Sequence, residues 1–281
     1  MTGTVAGTLA RLAEQLAEQL GLAPREARLE ARVLASAAWD VAPVWLLAHD
    51  RDPLSPARAD ALDRLAGRRL AGEPVAYVLG RREFYGRVFE VSPATLIPRP
   101  ETEHLVEAAL ARMSAPDHLL DVGTGSGCIA LTIKLERPDW AVTGSDIAPA
   151  ALAVAARNGQ RLGADVNWRQ SDLLTGLADT RYALIVSNPP YIPETDAHLD
   201  RGDLRYEPRS ALASGRDGLD HLRGLIEQAP GRLTPGGWLL LEHGYDQGER
   251  VPALLRERGY AEVFMTRDLA GQARVSGGRW P

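Results

Sequence analysis

Tyr182-Ala183-Leu184-Ile185-Val186-Ser187-Asn188-Pro189-Pro190-Tyr191 is an apolar run that ends abruptly in a polar residue, two prolines and an aromatic. The run reads as a buried strand. Consecutive prolines cannot donate to a sheet ladder, so the strand stops at them. Asn188 then stands at a strand's carboxyl end, where open α/β sheets bind ligands. The amide oxygen of Asn188 and the backbone carbonyl of Pro189 both accept hydrogen bonds. Proline fixes φ, so the direction of that carbonyl is preset. Two converging acceptors suit a planar NH2 group, with Tyr191 over its plane. The competing reading of the same residues is a strand-ending turn that does no chemistry.

Outward from this stretch, strands and helices alternate. On the amino-terminal side lie strands at 118–122, 141–146 and 166–170, with helices at 128–137 and 148–162 between them. On the other side a helix over about 219–233 leads to a strand at 238–242. A helix ending near Gly259 precedes two terminal strands, 262–267 and 273–279. Alternation of this kind predicts an α/β fold with a mainly parallel, doubly wound sheet. Residues 192–217 form a polar connection of a length usually associated with function or mobility.

The sharpest turn in that region is Asp121-Val122-Gly123-Thr124-Gly125-Ser126-Gly127, between a strand and a helix. A phosphate-binding P-loop requires Gly-Lys-Ser/Thr, which is absent. A dinucleotide fingerprint requires a third glycine where Cys128 stands. The remaining pattern, D-x-G-x-G-x-G, has the spacing of S-adenosylmethionine-dependent methyltransferases. There the glycines make room for the methionine part of the cofactor, and Asp121 is placed to help hold its amino group. Asp146 ends the next strand and suits both ribose hydroxyls of an adenosine, although it is also placed to cap the helix at Ala148-Pro149. Asp172 follows the third strand and suits an adenine amino group, with Leu173 against the ring; an ordinary turn acid is the alternative. Cys128, at a helix start with no paired base, reads as a small packed residue.

Upstream, residues 1–75 read as a small helical domain. Leu9, Leu12, Leu16 and Leu20 form one stripe, Leu29, Val33 and Leu34 a second, and Leu62, Leu65 and Leu70 a third. Its role is packing or the docking of a partner. Residues 76–100 form a linker containing a hairpin about Gly86, and 101–281 form the catalytic domain. Pro98-Arg99-Pro100 holds an arginine in an extended segment, and Glu101 or Thr102 opens a helix running to about Met113.

Composition narrows the class. The chain has 281 residues, a formal charge of −5 and 45% hydrophobic residues. A slightly acidic balance argues against non-specific attraction to nucleic-acid phosphate. One cysteine excludes an intrachain disulfide and a cysteine-rich zinc site, and the six histidines show no H-E-x-x-H spacing, so no metal is expected. The start, Met1-Thr-Gly-Thr-Val-Ala-Gly, lacks the features of a secretory signal, and no apolar run reaches membrane-spanning length. A cytoplasmic enzyme is the expectation.

Taken together, Glu83-Phe84-Tyr85, Leu96-Ile-Pro-Arg-Pro-Glu-Thr-Glu103, the D-x-G-x-G-x-G loop, Ser187-Asn-Pro-Pro-Tyr-Ile192, Tyr206-Glu207-Pro208 and Leu241-Glu-His-Gly244 resemble the release-factor glutamine methyltransferases. The resemblance covers nearly the whole chain. It implies a class I S-adenosylmethionine-dependent methyltransferase fold: a Rossmann-like, seven-stranded, mainly parallel sheet with a small helical first domain and a linking β-hairpin. It implies S-adenosyl-L-methionine as cofactor. The implied substrate is the side-chain amide nitrogen of the glutamine in the Gly-Gly-Gln motif of class 1 peptide chain release factors. Carried over to this chain, Gly123, Thr124, Gly125, Ser126, Gly127, Asp146, Asp172, Leu173 and Asn188 contact the cofactor. Asn188, Pro189, Pro190 and Tyr191 contact the substrate, with Asn188, Pro189 and Tyr191 carrying catalysis. Some relatives have an aromatic residue where Leu173 stands. Two other classes use similar parts. An adenine-N6 methyltransferase presents the same kind of NH2 to Asn-Pro-Pro-Tyr after base flipping, though no base-reading domain is recognisable here. A non-enzymatic adenosylmethionine-binding regulator would not need Asn188-Pro-Pro-Tyr intact.

Overall fold

The structure, a computed structural model, describes residues 3–281. The chain divides into two compact units. One runs to Gly80 and also takes in Arg201–Tyr206; the other comprises Arg81–Asp200 and Glu207–Pro281.

The first unit is helical: α1 (Val5–Leu20), α2 (Pro24–Trp39), α3 (Pro43–Ala48), α4 (Pro56–Leu70) and α5 (Val75–Leu79). Local chemistry sets its boundaries. The Thr4 hydroxyl accepts the Gly7 amide, the Ser55 hydroxyl accepts the Arg58 amide, and Gly21 ends α1 in the left-handed conformation. Leu12, Leu16 and Leu62 are buried as the leucine stripes predict, and Leu9, Leu20, Leu65 and Leu70 pack partly buried around them. The stripe on α2 differs from expectation. Leu29 is 62% and Val33 37% exposed, while Ala27, Ala31, Leu34 and Ala35 face the core. The spacing i, i+4, i+7, i+8 follows the helical period better than 29/33/34 does. Its alanines were overlooked because each offers little apolar surface.

A buried cation organises this unit. Arg69 is almost wholly enclosed and donates to Glu30 at 2.8 and 3.1 Å, to Asp203 at 2.9 Å and to the carbonyls of Gly72 and Glu73. Through Asp203 the segment 201–206 belongs to the helical unit. The long polar connection is therefore structured: it holds short 3-10 turns at Ala197–Asp200, Gly202–Tyr206 and Arg209–Ala211.

The second unit opens with β1 (Arg81–Phe84) and β2 (Arg87–Glu90), an antiparallel hairpin with Phe84 opposite Arg87. Its two-residue loop has Tyr85 at φ 52° and Gly86 at φ 69°, which matches the twist of the flanking strands. Next come α6 (Glu103–Leu110), β3 (His118–Val122), α7 (Cys128–Glu136), β4 (Ala141–Asp146), α8 (Pro149–Leu162), β5 (Asn167–Gln170) and β6 (Tyr182–Ser187). The chain continues through α9 (Asp220–Gln228), β7 (Leu233–Glu242), α10 (Arg250–Arg258), β8 (Ala261–Arg267) and β9 (Ala273–Arg279). The α9 helix is shorter than the sequence suggests and β7 longer, because Pro230 and Gly231 end the helix in a 3-10 turn. Leu233 then pairs with Tyr182 across an irregularity. Gly237 allows it: a Cβ there would lie 3.1 Å from the carbonyl oxygens of both Tyr182 and Ala183.

The seven-stranded sheet has the order β5-β4-β3-β6-β7-β9-β8. All neighbours from β5 to β7 run parallel; β9 is antiparallel to both β7 and β8. Apolar clusters cover its two faces, one including Leu119, Leu131, Ile133 and Leu184, the other Leu120, Ile185, Leu222 and Leu239. Alternate residues of β3 and β6 thus point to opposite layers, as a strand buried on both sides requires.

Candidate functional site

Register alone gathers the site. Val122 of β3 lies beside Ser145 of β4 and Ser187 of β6; Asp146 lies beside Gln170 of β5, and Ser187 beside Leu241 of β7. One step further along, Gln170, Asp146, Gly123, Asn188 and Glu242 therefore form one row at the carboxyl edge, with Ser171 directly after Gln170. The chain order reverses direction between β3 and β6, the usual position of a ligand crevice in such sheets.

A cleft opens there. It is lined by Gly123, Gly125, Asp146, Asp172, Leu173, Asn188, Pro189 and Pro190, together with Ala94–Leu96, Ile147, Ala148 and Pro208. Thr124, Ser126, Gly127 and Tyr191 do not line it. Thr124 and Ser126 are buried behind the loop. The Thr124 hydroxyl donates to Asp121 at 2.6 Å, and the Ser126 carbonyl accepts from Asn158 at 2.9 Å. Asn158 also donates to the Glu90 carbonyl at 3.0 Å and accepts the Glu90 amide at 2.7 Å. This buried amide joins hairpin, α8 and glycine loop. Gly127, at φ 81°, begins α7 against Leu131, Ala155 and Trp168.

The glycine turn leaves space on its outer side. A Cβ built on Gly123 or Gly125 meets no atom within 4 Å, and both residues have positive φ. Asp121 lies beneath the turn, wholly buried. One of its oxygens accepts Thr124 Oγ1 and the Ala130 amide, while Oδ1 has no partner. Burial lifts its carboxyl to about 7. Cys128 is buried too, its thiol pushed up to about 12 by desolvation, so it is not a poised nucleophile.

Asp146 does two local jobs at once. Oδ2 accepts the Gly125 amide and Oδ1 the Ala148 amide, each at 2.9 Å, so it braces the turn and caps the start of α8. Burial raises its pKa and these amides oppose that shift. Asp172 is exposed, and Leu173 is half-buried with φ 49°. The Ser171 hydroxyl donates to the Leu173 and Thr175 carbonyls and holds this turn. Ile147, an exposed aliphatic chain, lines the same cleft. The sequence showed it only as an apolar residue directly after Asp146.

Asn188 is half-buried, and its Nδ2 donates to Thr102 Oγ1 at 3.1 Å. The Ser187 hydroxyl ties β6 to the Val122 carbonyl at 2.7 Å. Tyr191 turns back onto the core, its carbonyl accepting from Gln247 at 3.0 Å. Its phenol is deeply desolvated, near Glu242 and Arg274, and its pKa is raised. Glu242 is buried and its carboxyl is lifted to about 7 by desolvation, opposed by the Thr102 and Tyr191 hydroxyls and the charge of Arg274. Arg99 ion-pairs with buried Glu207, whose other oxygen accepts the Ile97 amide at 2.9 Å. The Pro98-Arg99-Pro100 segment is thereby anchored beside the cleft. Thr102 and Glu242 were not singled out as site residues. Neither exposes a functional group, and only strand register brings Glu242 next to Asn188.

A seven-stranded sheet of this order, with a glycine turn after β3 and an acid after β4, defines a class I methyltransferase. Residues 101–202 match the Methyltransferase small domain family, and residues 9–80 match the PrmC N-terminal domain. A methyltransferase from Pyrococcus furiosus has the same fold, with a TM-score of 0.54 at 19% identity over 77% of this chain and 98% of that one. Within the class the match is closer. The release factor glutamine methyltransferase of Bordetella pertussis is 54% identical over 91% of this chain and 96% of its own length. That of Neisseria gonorrhoeae is 48% identical over 90% and 93%. The chain belongs to the release factor glutamine methyltransferase family.

Proposed function

We propose that this chain transfers a methyl group from S-adenosylmethionine to the side-chain amide nitrogen of a glutamine, that of the Gly-Gly-Gln motif in class 1 peptide chain release factors. The observation that carries the reading is the row of strand ends that sets Asn188-Pro189-Pro190 directly beside the Gly123–Gly127 turn in one cleft. The family of the chain supplies the substrate. Termination of translation places the reaction in the cytoplasm.

The residues fit the cofactor. The open outer face of Gly123 and Gly125 accommodates its amino-acid portion. Thr124, Ser126 and Gly127 shape the turn from behind. Each Asp146 oxygen already takes one amide and has a further lone pair for a ribose hydroxyl. Asp172 suits the adenine amino group, with Leu173 and Ile147 as apolar walls. When bound, the cofactor supplies an electrophilic methyl group on a sulfonium.

An amide nitrogen is a weak nucleophile because its lone pair is shared with the carbonyl. Asn188 Oδ1 and the Pro189 carbonyl accept its two N–H bonds, turn the nitrogen toward the methyl carbon and favour the developing positive charge. Pro190 stiffens the wall, and Tyr191 backs it from the core side. The cofactor would supply the methyl group and leave as the thioether; the part of this chain is to hold the amide nitrogen in line with it and to leave the surplus proton a path to water. The contribution of the protein is placement and fixed dipoles. Incubation with methyl-labelled cofactor tests this: label enters a class 1 release factor, and a Gln→Ala change in its Gly-Gly-Gln motif abolishes incorporation. Label entering nucleic acid instead would refute the reading.

A further inference from the structure

The acceptor role of Asn188 depends on which way round its amide sits, and Asn188 does not decide that by itself. Among the described residues its side chain has one hydrogen-bond partner, the Thr102 hydroxyl. A hydroxyl either donates or accepts, so Thr102 supports both amide orientations equally unless something fixes its own proton. Glu242 is placed to do so. β6 and β7 pair in register up to Ser187 and Leu241, so Asn188 and Glu242 leave the sheet as neighbours. Glu242 Oε2 is buried with no hydrogen-bond partner among the described residues, and the Thr102 and Tyr191 hydroxyls are near enough to favour the ionised carboxyl. Thr102 and Glu242 are both buried, away from competing water.

Resting on the function proposed above, we infer that Thr102 and Glu242 form a proton-sensitive positioning pair that decides which end of the Asn188 amide faces the substrate. A carboxylate only accepts. It takes the Thr102 proton, the Thr102 oxygen then accepts Asn188 Nδ2, and Oδ1 is turned toward the incoming glutamine NH2. A protonated carboxyl donates instead. Thr102 can then donate to Asn188 Oδ1, the amide turns, and Asn188 presents NH2 to NH2. The Asn–Thr–Glu line, buried at its threonine and glutamate, thus converts one proton into the loss of a hydrogen-bond acceptor.

The surroundings hold the switch near neutrality. From β9, Arg274 favours the carboxylate while sharing its charge with Asp268 at 3.0 Å. From the 3-10 turn before α6, Glu101 opposes ionisation, and desolvation opposes it most. Arg99, ion-paired with Glu207, is also close enough to act on Tyr191. His243, next along the chain, is bonded to the Gly244 carbonyl and Ser276 Oγ, and burial lowers its pKa, so it adds no positive charge. With the carboxyl at about 7, the productive orientation is present above neutrality and is lost as pH falls through it.

Two measurements test the pair. The first is kcat/KM for methyl transfer to a release factor across pH 5.5–9, which reports ionisations of the free enzyme. Wild type is expected to lose about tenfold per pH unit below neutrality, and Glu242→Gln to lose that acid limb. At pH 8, Thr102→Val is expected to fall about tenfold or more, the scale of one lost hydrogen bond, and Thr102→Ser to recover most of it. An acid limb that persists unchanged in Glu242→Gln, its absence from wild type, or a fully active Thr102→Val would overturn the inference. The second is a carbon-13 NMR titration of the full chain labelled at glutamate carboxyls, with no substrate present. One signal should titrate near neutrality in wild type and be missing from Glu242→Gln; a Glu242 signal titrating below pH 5 would overturn the inference. The titration needs no turnover, so a chain that transfers no label to release factor but shows this signal has lost the proposed function and not the pair.

Discussion

At the scale of single residues, the proposed function has one carboxamide recognise another, and position has to do the work that reactivity cannot. Asn188→Ala removes an acceptor from the substrate side of the cleft and leaves the Gly123–Gly127 turn and Asp146 in place. Methyl transfer is expected to slow by about 10²–10³-fold, the scale for loss of one preorganised polar group. Cofactor affinity, measured by equilibrium titration, should change far less. Normal turnover under saturating cofactor would remove Asn188 from its gripping role. Gly123, Asp146, Asp172, Leu173 and Asn188 were legible in the sequence as lining one cleft because each lies at, or within three residues of, a strand's carboxyl end, where such sheets place their chemistry. Thr102 and Glu242 were not. A threonine before a helix and a glutamate after a strand are common, and their partnership depends on which strand lies beside β6. Tyr191 shows the same limit: its place after two prolines suggested a wall facing the ligand, whereas its ring packs inward.

At the scale of elements, the glycine turn separates two kinds of requirement. Gly127 needs its missing side chain for packing: at φ 81°, a Cβ would lie 3.0–3.1 Å from Leu131, Ala155 and Trp168. Gly125 meets nothing and faces the cleft, at φ 55°. Gly127→Ala is therefore expected to cost about 2–3 kcal/mol of folding stability, from left-handed backbone strain plus crowding. Gly125→Ala should cost only about 1 kcal/mol of strain, while weakening cofactor binding by more than the stability loss explains. Chemical denaturation and ligand titration of both variants check the contrast; equal stability losses would contradict it. The turn was readable because three alternate glycines have few other uses. The α2 helix was misread in part because Leu29 and Val33 looked like core while Ala27, Ala31 and Ala35 looked like nothing. In a tight helix pair, small residues are what the interface selects. The Tyr85-Gly86 loop was readable as a turn from its glycine, but a tyrosine at positive φ is not a residue that pattern suggests.

At the scale of the whole molecule, two buried carboxyls near neutrality bear on stability. Asp121 and Glu242 both hold their protons more tightly folded than unfolded, their carboxyls standing at about 7 in the fold. Below pH 4 each is protonated in both states. As pH rises from about 4 to 7 the unfolded chain releases these protons first, so their contribution to stability declines and is fully lost above neutrality. Asp217 has the opposite sign: Arg223 and Arg250 hold its pKa below the usual range, so its contribution is lost on acidification, below the window of the buried pair. Asp121→Asn can still accept Thr124 and the Ala130 amide while carrying no charge. The prediction is that wild type loses stability from pH 5 to 7 and that Asp121→Asn loses measurably less, read as denaturation midpoints at each pH. Parallel pH profiles for the two proteins would place the Asp121 ionisation elsewhere. The architecture at this scale was legible from the alternation of strands and helices. The grouping of residues 201–206 with the helical unit was not, because it rests on one buried arginine 134 positions before Asp203, in no recognisable pattern.

The sheet is not assembled in the order in which the ribosome delivers it. β9 lies between β7 and β8, so β8 leaves the exit tunnel with no neighbour to hydrogen-bond and β7 keeps a bare flank until residues 273–279 arrive. A nascent chain halted before that point would display two unpaired backbones side by side. The seven-stranded sheet therefore closes only when the strand at residues 273–279 slots between two strands made before it.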